Sequence, residues 1–197
     1  MSTVSTVSTA LRLGATLTLG LGVLAAAPAV RAQQVVPASS EIAFVSKQMG
    51  VAVEGKFKKW SAQITLDPKK PEAGKVAFTI DTGSASFGVP ETDAEVGKAP
   101  WFNAAKFPQA SFTSSAIKAL GGGRFEVRGK LTVKGVAQDA VVPVAVTQSG
   151  AASTATGAFT IKRLDFKIGE GEWADTSMVA NDVQVKFKLA LTGLAPL

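Results

Sequence analysis

The chain lacks the two side chains that most often carry protein chemistry near neutral pH, because its 197 residues include no histidine and no cysteine. It therefore has no imidazole base, no imidazole metal ligand, no thiol nucleophile and no disulfide. Asp, Glu, Lys, Arg, Ser and Thr remain as candidate catalytic groups, and no spacing among them predicts a converging set. We expect a protein that is not an enzyme and that holds neither a metal ion nor a cofactor.

A charged segment near the C-terminus is the best remaining candidate for a polar site. Arg163 and Asp165 stand two apart in KRLDF, so on a strand they would share a face. An unpaired buried charge is costly, so on an internal face the two residues would need each other or backbone partners. An ion pair and a contact with the polar end of a ligand are the two interpretations. The acidic residues that follow, up to Asp182, fit no calcium-loop spacing and predict a solvated loop.

The elements that must position any site show apolar and polar residues in alternation, which is typical of β-strands with one buried face. In RFEVRGKLTVKG, every second residue from Phe125 to Val133 is apolar or glycine, and the residues between them are charged or polar. The same pattern recurs, more weakly in the last two ranges, over residues 51–57, 62–67, 76–81, 183–192, 140–147 and 154–162. Turn signals such as Gly121-Gly122-Gly123 separate these runs. The pattern predicts an all-β fold of roughly eight antiparallel strands.

One segment, residues 91–107, interrupts the strand pattern and predicts a short helical insertion. Glu91 to Lys98 fits one or two helical turns. Asn103 to Phe107 fits a second short helical piece that ends before Pro108, since the residue before a proline disfavours helix.

Strands with one apolar face must hide that face, and two architectures remain open at this point: a β-sandwich and a closed barrel. A closed barrel of about eight strands has an interior wide enough for one small ligand. An outer-membrane barrel would direct its apolar face to lipid between aromatic girdles. The absence of Tyr, the presence of only three Trp and the charged polar faces argue against it.

The N-terminal segment has the pattern of a cleavable signal peptide. Leu13 to Ala27 is an apolar run shorter than the about 20 residues that a spanning helix needs. Val30 and Ala32 occupy the small-residue positions of a cleavage site. We predict a signal peptide over residues 1–32, one mature domain over residues 33–197, and a periplasmic or secreted protein.

The charge balance is mildly basic. Cleavage would remove Arg12 and Arg31 and lower the formal net charge from +6 to +4. The basic residues are dispersed along the chain, so no nucleic-acid partner is expected. A weak preference for anionic membrane surfaces is compatible with this balance.

Six segments, in this order and spacing, make the chain similar to the YceI-like family of secreted polyisoprenoid-binding proteins. The resemblance extends from about Ser40 to Thr192 and rests on SEIAFVSKQMGVAVEGKF, VAFTIDTGSAS, WFNAAKFPQASF, GKLTVKGVAQDAVVPV, IKRLDFKIGEG and NDVQVKFKLAL. It implies an antiparallel, eight-stranded, lipocalin-like barrel that binds an isoprenoid lipid, of the polyprenyl or quinone type, as a carrier.

The chain departs from the family pattern where members often carry histidine. Gln48, Glu95 and Lys134 stand at those positions, and Asn103 and Phe107 stand where Asp and Tyr are common. These departures weaken the idea of a polar or metal site and leave the apolar interior unchanged.

The inward-facing apolar residues are the predicted ligand contacts, although each could equally serve plain core packing. They are Phe57, Phe78, Ile80, Phe112, Phe125, Val127, Leu131, Phe159, Val185 and Phe187, with Trp101 and Phe102 at one end. The expected partners are an isoprenoid lipid or quinone and, transiently, a membrane surface. The sequence leaves the oligomeric state open, a homodimer included.

Two other function classes remain as alternatives. An accessory interaction protein, serving an envelope-stress response or a membrane redox complex, would have a filled core and an exposed apolar or charged patch instead of a tunnel. An enzyme would need the converging ionisable set that the sequence does not offer.

Overall fold

The structure is a computed structural model, and it describes residues 32–197. The predicted signal peptide lies outside the described residues, apart from Ala32. The elements in chain order are β1 (Gln34–Val35), β2 (Glu41–Gln48), β3 (Val51–Phe57), β4 (Trp60–Thr65), β5 (Lys75–Asp81), β6 (Ala85–Ser86), α1 (Pro90–Val96), β7 (Gln109–Gly121), β8 (Arg124–Val133), β9 (Val136–Ser149), β10 (Ala152–Lys162) and β11 (Asp182–Thr192). Short 3₁₀ turns cover Pro37–Ser39, Pro71–Ala73, Thr82–Ser84, Arg163–Phe166 and Gly171–Ala174.

All strands belong to one antiparallel sheet that curls into a barrel. The order along the sheet is β4-β5-β7-β8-β9-β10-β11-β2-β3-β6, with β1 also paired to β11. β3 pairs with β2 near one edge of the sheet, and β4 pairs with β5 at the other edge. Only Lys58 and Lys59 separate the end of β3 from the start of β4. β3 and β4 are therefore two halves of one bent strand, and the bend joins the two ends of the sheet.

Residues 33–35 help to close the barrel where the two edges of the sheet meet, which is called the seam below. They lie at the end of the barrel opposite the β2–β3 turn. The Gln33 backbone N–H donates to the Ile64 carbonyl at 2.8 Å, which ties the chain to β4. The Leu66 N–H donates to the Gln33 side-chain oxygen at 2.7 Å in a buried position. β1 then pairs with the last residues of β11. These bonds satisfy backbone groups that an open sheet edge would expose.

The predicted fold class is confirmed, with eleven strands among residues 32–197 instead of eight. β1 and β6 have two residues each, too few to show alternation. β7 is long, but its register with β8 shifts between Ser114 and Ala116. A bulge adds one residue to a strand, so the period of two is lost there and the sequence pattern hides the strand.

The helical insertion is confirmed in its first half. α1 covers Pro90–Val96 and starts with proline, whose fixed φ suits the first helical turn. The second piece is not a helix. Residues 103–107 form a hydrogen-bonded turn, in which the Phe107 N–H donates to the Asn103 carbonyl at 2.8 Å and Asn103 has a φ of +48°. A left-handed residue at this point cannot continue a right-handed helix.

No helix within residues 32–197 is long and apolar enough to cross a membrane.

Candidate functional site

The barrel encloses a cavity of about 640 Å³ that runs along its length. One end reaches Leu66 and Leu194, near the seam. The other reaches Met49 in the β2–β3 turn and Met178 in the segment before β11, and both of these side chains are exposed. The cavity therefore opens at this end, called the mouth below. Its volume lies within the range of roughly 300–1,000 Å³ that small-molecule sites occupy.

The structure brings all twelve predicted contact residues to the wall of this one cavity. They are Phe57 on β3, Phe78 and Ile80 on β5, Trp101 and Phe102 after α1, Phe112 on β7, Phe125, Val127 and Leu131 on β8, Phe159 on β10, and Val185 and Phe187 on β11. Their contact with a ligand stays a prediction.

Sequence reasoning missed more of the wall residues than it found. Ile42 and Phe44 on β2, Val142 and Val146 on β9, and Ala155 on β10 also line the cavity. Alternation marks most of these positions, so the period of two could have identified them. Met49 and Met178 lie outside strands, where the sequence carries no signal of this kind.

Three phenylalanine rings lie over strand glycines, which keeps the interior hollow. The residue opposite Phe44 in the sheet is Gly55, and the residue opposite Phe187 is Gly157. A methyl group added to Gly55 would lie 2.5 Å from the tip of the Phe44 ring. The Phe187 ring covers Gly157 in the same way, and the Phe112 ring covers Gly129.

The absence of a side chain at these glycines explains the hollow. Each of the three rings lines the cavity, and each occupies the space that the side chain of its glycine would fill. The rings therefore lie against the barrel wall instead of projecting across the interior. Aromatic residues that cover strand glycines in this way also restore packing that the glycine alone would lose.

An aromatic cluster surrounds the cavity below the mouth. The Phe44 ring lies 5.2 Å from both Phe57 and Phe87, measured between ring centroids, and Phe57 lies 5.9 Å from Phe102. These are favourable tilted and edge-on arrangements. The sequence placed Phe102 at one end of the barrel, and the structure identifies that end as the open one.

The few polar side chains of the wall all lie toward the mouth. They are Ser46, Gln48, Glu91, Thr92, Glu95 and Arg163. The rest of the wall is apolar apart from the indole N–H groups of Trp101 and Trp173. This distribution fits an elongated apolar molecule whose polar end points out of the barrel, because buried polar groups need hydrogen-bond partners.

Arg163 has the backbone partners that an internal face allows, and both the ion pair with Asp165 and the ligand contact are wrong. Its side chain is buried, and its five N–H groups donate to the backbone carbonyls of Ala180, Ile168, Gly169, Trp173 and Val179 at 2.7 to 3.1 Å. It lies in a 3₁₀ turn with Asp165 exposed, so the two do not share a strand face. Burial lowers the pKa of the Arg163 guanidinium below its ordinary value.

Arg163 therefore has no donor left for a ligand. It instead fixes the long connection between β10 and β11, which forms one side of the mouth. Five carbonyls around one guanidinium satisfy the full donor set of the side chain, which is why a lone buried cation is tolerated here.

A buried lysine fixes a second part of the mouth. Lys134 and Gly135 both have positive φ in the β8–β9 turn, as a tight hairpin turn of this type requires. The Lys134 ammonium donates to the Lys167 carbonyl at 2.6 Å and to the Glu170 carboxylate at 2.8 Å. The bond from Lys134 lowers the pKa of the Glu170 carboxyl. Lys134 thus joins the hairpin to the β10–β11 connection and serves packing of the loops.

No constellation for metal binding is present in the described part of the chain, where no three Asp or Glu side chains lie close enough to hold an ion. The arrangement is suited to holding a molecule and offers no converged set of groups for acid, base or nucleophilic chemistry.

Comparison with known proteins gives one family. The model of the YceI-like domain matches residues 33–191. Among curated relatives, a "UPF0312 protein" of Pseudomonas savastanoi pv. phaseolicola is 31% identical over 140 residues, which cover 69% of this chain and 73% of the relative. Another from Shewanella baltica is 30% identical over 165 residues, which cover 78% and 86%.

Two solved structures share the fold. The crystal structure of Burkholderia cenocepacia BcnA is 48% identical, with a TM-score of 0.78, and the match covers 80% of this chain and 99% of that one. A "polyisoprenoid binding domain" from Saccharophagus degradans is 20% identical, with a TM-score of 0.64, and the match covers 83% and 98%.

The stacking of rings over glycines predicts the effect of one methyl group. In Gly55→Ala the Phe44 ring must move toward the lumen, where it narrows the cavity below the mouth. We expect an apolar fluorescent dye such as N-phenyl-1-naphthylamine to bind at least about fivefold more weakly, which corresponds to about 1 kcal/mol. Fluorescence titration measures the affinity.

Two further variants are the controls for that prediction. In Gly97→Ala the nearest atom to the added methyl is 3.6 Å away, an ordinary contact, so dye binding should equal that of the unchanged protein. Gly55→Ala combined with Phe44→Leu should regain affinity, since the smaller side chain removes the clash. Unchanged dye affinity in Gly55→Ala alone would contradict the packing argument.

The carbonyl cage around Arg163 predicts a large loss of stability on its removal. Arg163→Met leaves five buried or half-buried carbonyls without their donor, so the free energy of unfolding should fall by about 3 kcal/mol or more. Arg163→Lys keeps the charge with fewer donors and should lose less. Denaturant titration measures both variants. The control Arg128→Met alters an exposed arginine and should change the free energy of unfolding by about 0.5 kcal/mol or less. Equal losses of stability in Arg163→Met and Arg128→Met would show that the five carbonyl bonds of Arg163 do not stabilise the fold.

Proposed function

The chain belongs to the YceI-like family, and from that premise we propose that it binds an isoprenoid lipid, of the polyprenyl or quinone type, inside the barrel and carries it. The observation that carries the proposal is the apolar cavity, which runs along the barrel and opens at one end. The proposed site of action is the periplasm, because residues 1–32 have the pattern of a cleavable signal peptide.

The shape and polarity of the cavity support a long apolar tail. Its inner part is lined by aliphatic and aromatic side chains from β2, β5, β7, β8, β9, β10 and β11. β8 alone spans roughly 33 Å at about 3.3 Å per residue, which is long enough to lie beside several isoprene units. The polar end of the ligand would then lie at the mouth, beside residues such as Gln48 and Thr92.

The energetics favour a carrier over a permanent store. Burying each methylene-sized group from water gains about 0.8 kcal/mol. For a long tail the gross gain exceeds the roughly 18–21 kcal/mol that limits non-covalent affinity. The tail, however, leaves a bilayer that is about as apolar as the cavity, so the net preference is small and exchange is feasible.

The choice of ligand class is part of the proposal. The Saccharophagus degradans domain is described as polyisoprenoid-binding, and at its level of identity the likeness extends to the fold alone. For this chain the support comes from the wall itself, which offers apolar contact along its length and polar side chains at one end only. A binding role without catalysis agrees with the same arrangement.

The alternative of an accessory interaction protein requires a filled core. The hollow of about 640 Å³ favours the binding protein over that alternative.

A bulky side chain introduced into the cavity tests the proposal. Ala155 on β10 is buried and lines the cavity, and Ala158 on the same strand is exposed on the outer surface. The unchanged protein, Ala155→Phe and Ala158→Phe are purified from the native compartment, extracted with organic solvent and analysed by mass spectrometry. We expect about one prenyl lipid per chain in the unchanged protein and in Ala158→Phe, and a clear loss in Ala155→Phe, because the new ring occupies the lumen.

The result that would overturn the proposal is an empty protein that also takes up no prenol or quinone from detergent solution. Equal lipid content in Ala155→Phe and Ala158→Phe would show that the bound lipid lies outside the cavity and would also overturn it.

A further inference from the structure

Four exposed apolar side chains lie around the mouth of the cavity. Met49 is 79% exposed, Val51 66%, Val89 47% and Met178 45%. Met49 and Met178 line the cavity at its open end. Val51 follows Met49 by two residues. Val89 lies between Phe87 and Glu91, which both line the cavity. We call Met49, Val51, Val89 and Met178 the apolar lip.

Backbone hydrogen bonds join the two segments that carry Met49 and Met178. The Met49 N–H donates to the Met178 carbonyl at 2.8 Å, and the Ala180 N–H donates to the Lys47 carbonyl at 2.9 Å. Gln48 and Val179 form an isolated bridge between the same two segments. Two separate parts of the chain thus bring the backbones of Met49 and Met178 into direct contact. Methionine is flexible and polarisable, and it adapts to irregular apolar surfaces.

An apolar ligand needs a route into this cavity that avoids water. An isoprenoid that crosses water loses the whole stabilisation of its tail, at about 0.8 kcal/mol per methylene-sized group, before the cavity restores it. It avoids this barrier if the mouth rests on the bilayer. The lip supplies the apolar surface for that contact at the place where the cavity opens. An exposed apolar patch of this kind marks an interaction surface.

We propose that the apolar lip docks the mouth of the barrel onto a lipid bilayer, so that the tail passes directly between bilayer and cavity. The inference rests on the proposed function, because the bilayer is the source of the ligand.

The charged side chains of the cavity wall supply no attraction for a bilayer. The charged side chains of the cavity wall are Glu91, Glu95 and Arg163. Glu95 is paired with Lys98 at 2.6 Å, and the guanidinium of Arg163 is fully bonded to carbonyls. No basic side chain of the wall is therefore free to attract phosphate groups. Docking is therefore driven by apolar contact at the lip.

The test measures transfer of a radiolabelled long-chain prenol from phosphatidylcholine vesicles to the protein, with vesicles removed by centrifugation. The variant Val51→Glu/Val89→Glu alters only lip residues that do not line the cavity. The control Leu120→Glu/Val141→Glu alters exposed apolar residues away from the mouth, at the β7–β8 end and on β9. We expect transfer to the lip variant to be at least about tenfold slower and transfer to the control to be unchanged.

A second measurement separates docking from binding. All proteins are loaded with the same prenol from detergent micelles, and the prenol bound at equilibrium is counted. Equal loading with slow transfer to the lip variant alone supports docking. Failure of the unchanged protein to load from micelles refutes the proposed function. Normal loading with equal transfer rates in all proteins refutes docking and leaves the proposed function intact.

Two further outcomes also decide against the proposal. Equal transfer rates of the unchanged protein and the lip variant from pure phosphatidylcholine vesicles, with a difference only when phosphatidylglycerol is added, would overturn docking driven by apolar contact. If light scattering shows that the unchanged protein is a dimer and that the lip variant is a monomer, with equal transfer rates, the lip is a contact between two copies of this chain.

Discussion

The packing of phenylalanine rings over glycines is the interaction on which the hollow interior depends. A curled sheet of this size directs many large apolar side chains inward, and close packing would ordinarily fill the space between them. Here Phe44, Phe112 and Phe187 lie over Gly55, Gly129 and Gly157, so that bulky residues cover the wall without crossing the lumen. The same rings bury backbone that the glycines would leave bare. Stability of the wall and space for a ligand thus have one structural cause.

The two ends of the barrel have different roles. At the seam, Gln33 and β1 close the sheet through backbone and side-chain hydrogen bonds, and the cavity ends among aliphatic residues. At the mouth, two buried cations fix the loops. Arg163 joins five carbonyls of the β10–β11 connection, and Lys134 joins that connection to the β8–β9 hairpin. The mouth is therefore an ordered opening, rimmed by exposed apolar side chains.

Much of the fold follows from the sequence, because burial of one strand face imposes a period of two that seven of the longer strands display. Where a physical feature breaks that period, the prediction fails, as it does at the β7 bulge near Ser114. The contact residues such as Phe125 and Phe187 follow from the same alternation. The hollow does not, because it requires the register that sets Phe44 opposite Gly55 and Phe187 opposite Gly157, and these partners lie on different strands.

Arg163 illustrates a second limit of sequence reasoning. Its spacing from Asp165 favours a shared strand face, but the chain leaves the strand at Lys162 and turns. The acceptors of the guanidinium are backbone carbonyls, which every residue has, so no side-chain pattern can identify them. The exposed lip is hidden from sequence in the same way, since Met49 and Met178 lie far apart in the chain and meet through backbone hydrogen bonds between their segments.

A crystal structure of the protein loaded with a long-chain prenol tests the central claim most directly. The account predicts one continuous, elongated feature in the electron density, from Met49 and Met178 at the mouth toward Leu66 and Leu194, with the rings of Phe44, Phe112 and Phe187 flat against their glycines. Rings turned across the interior, with side chains filling the barrel and the prenol outside it, would contradict the account.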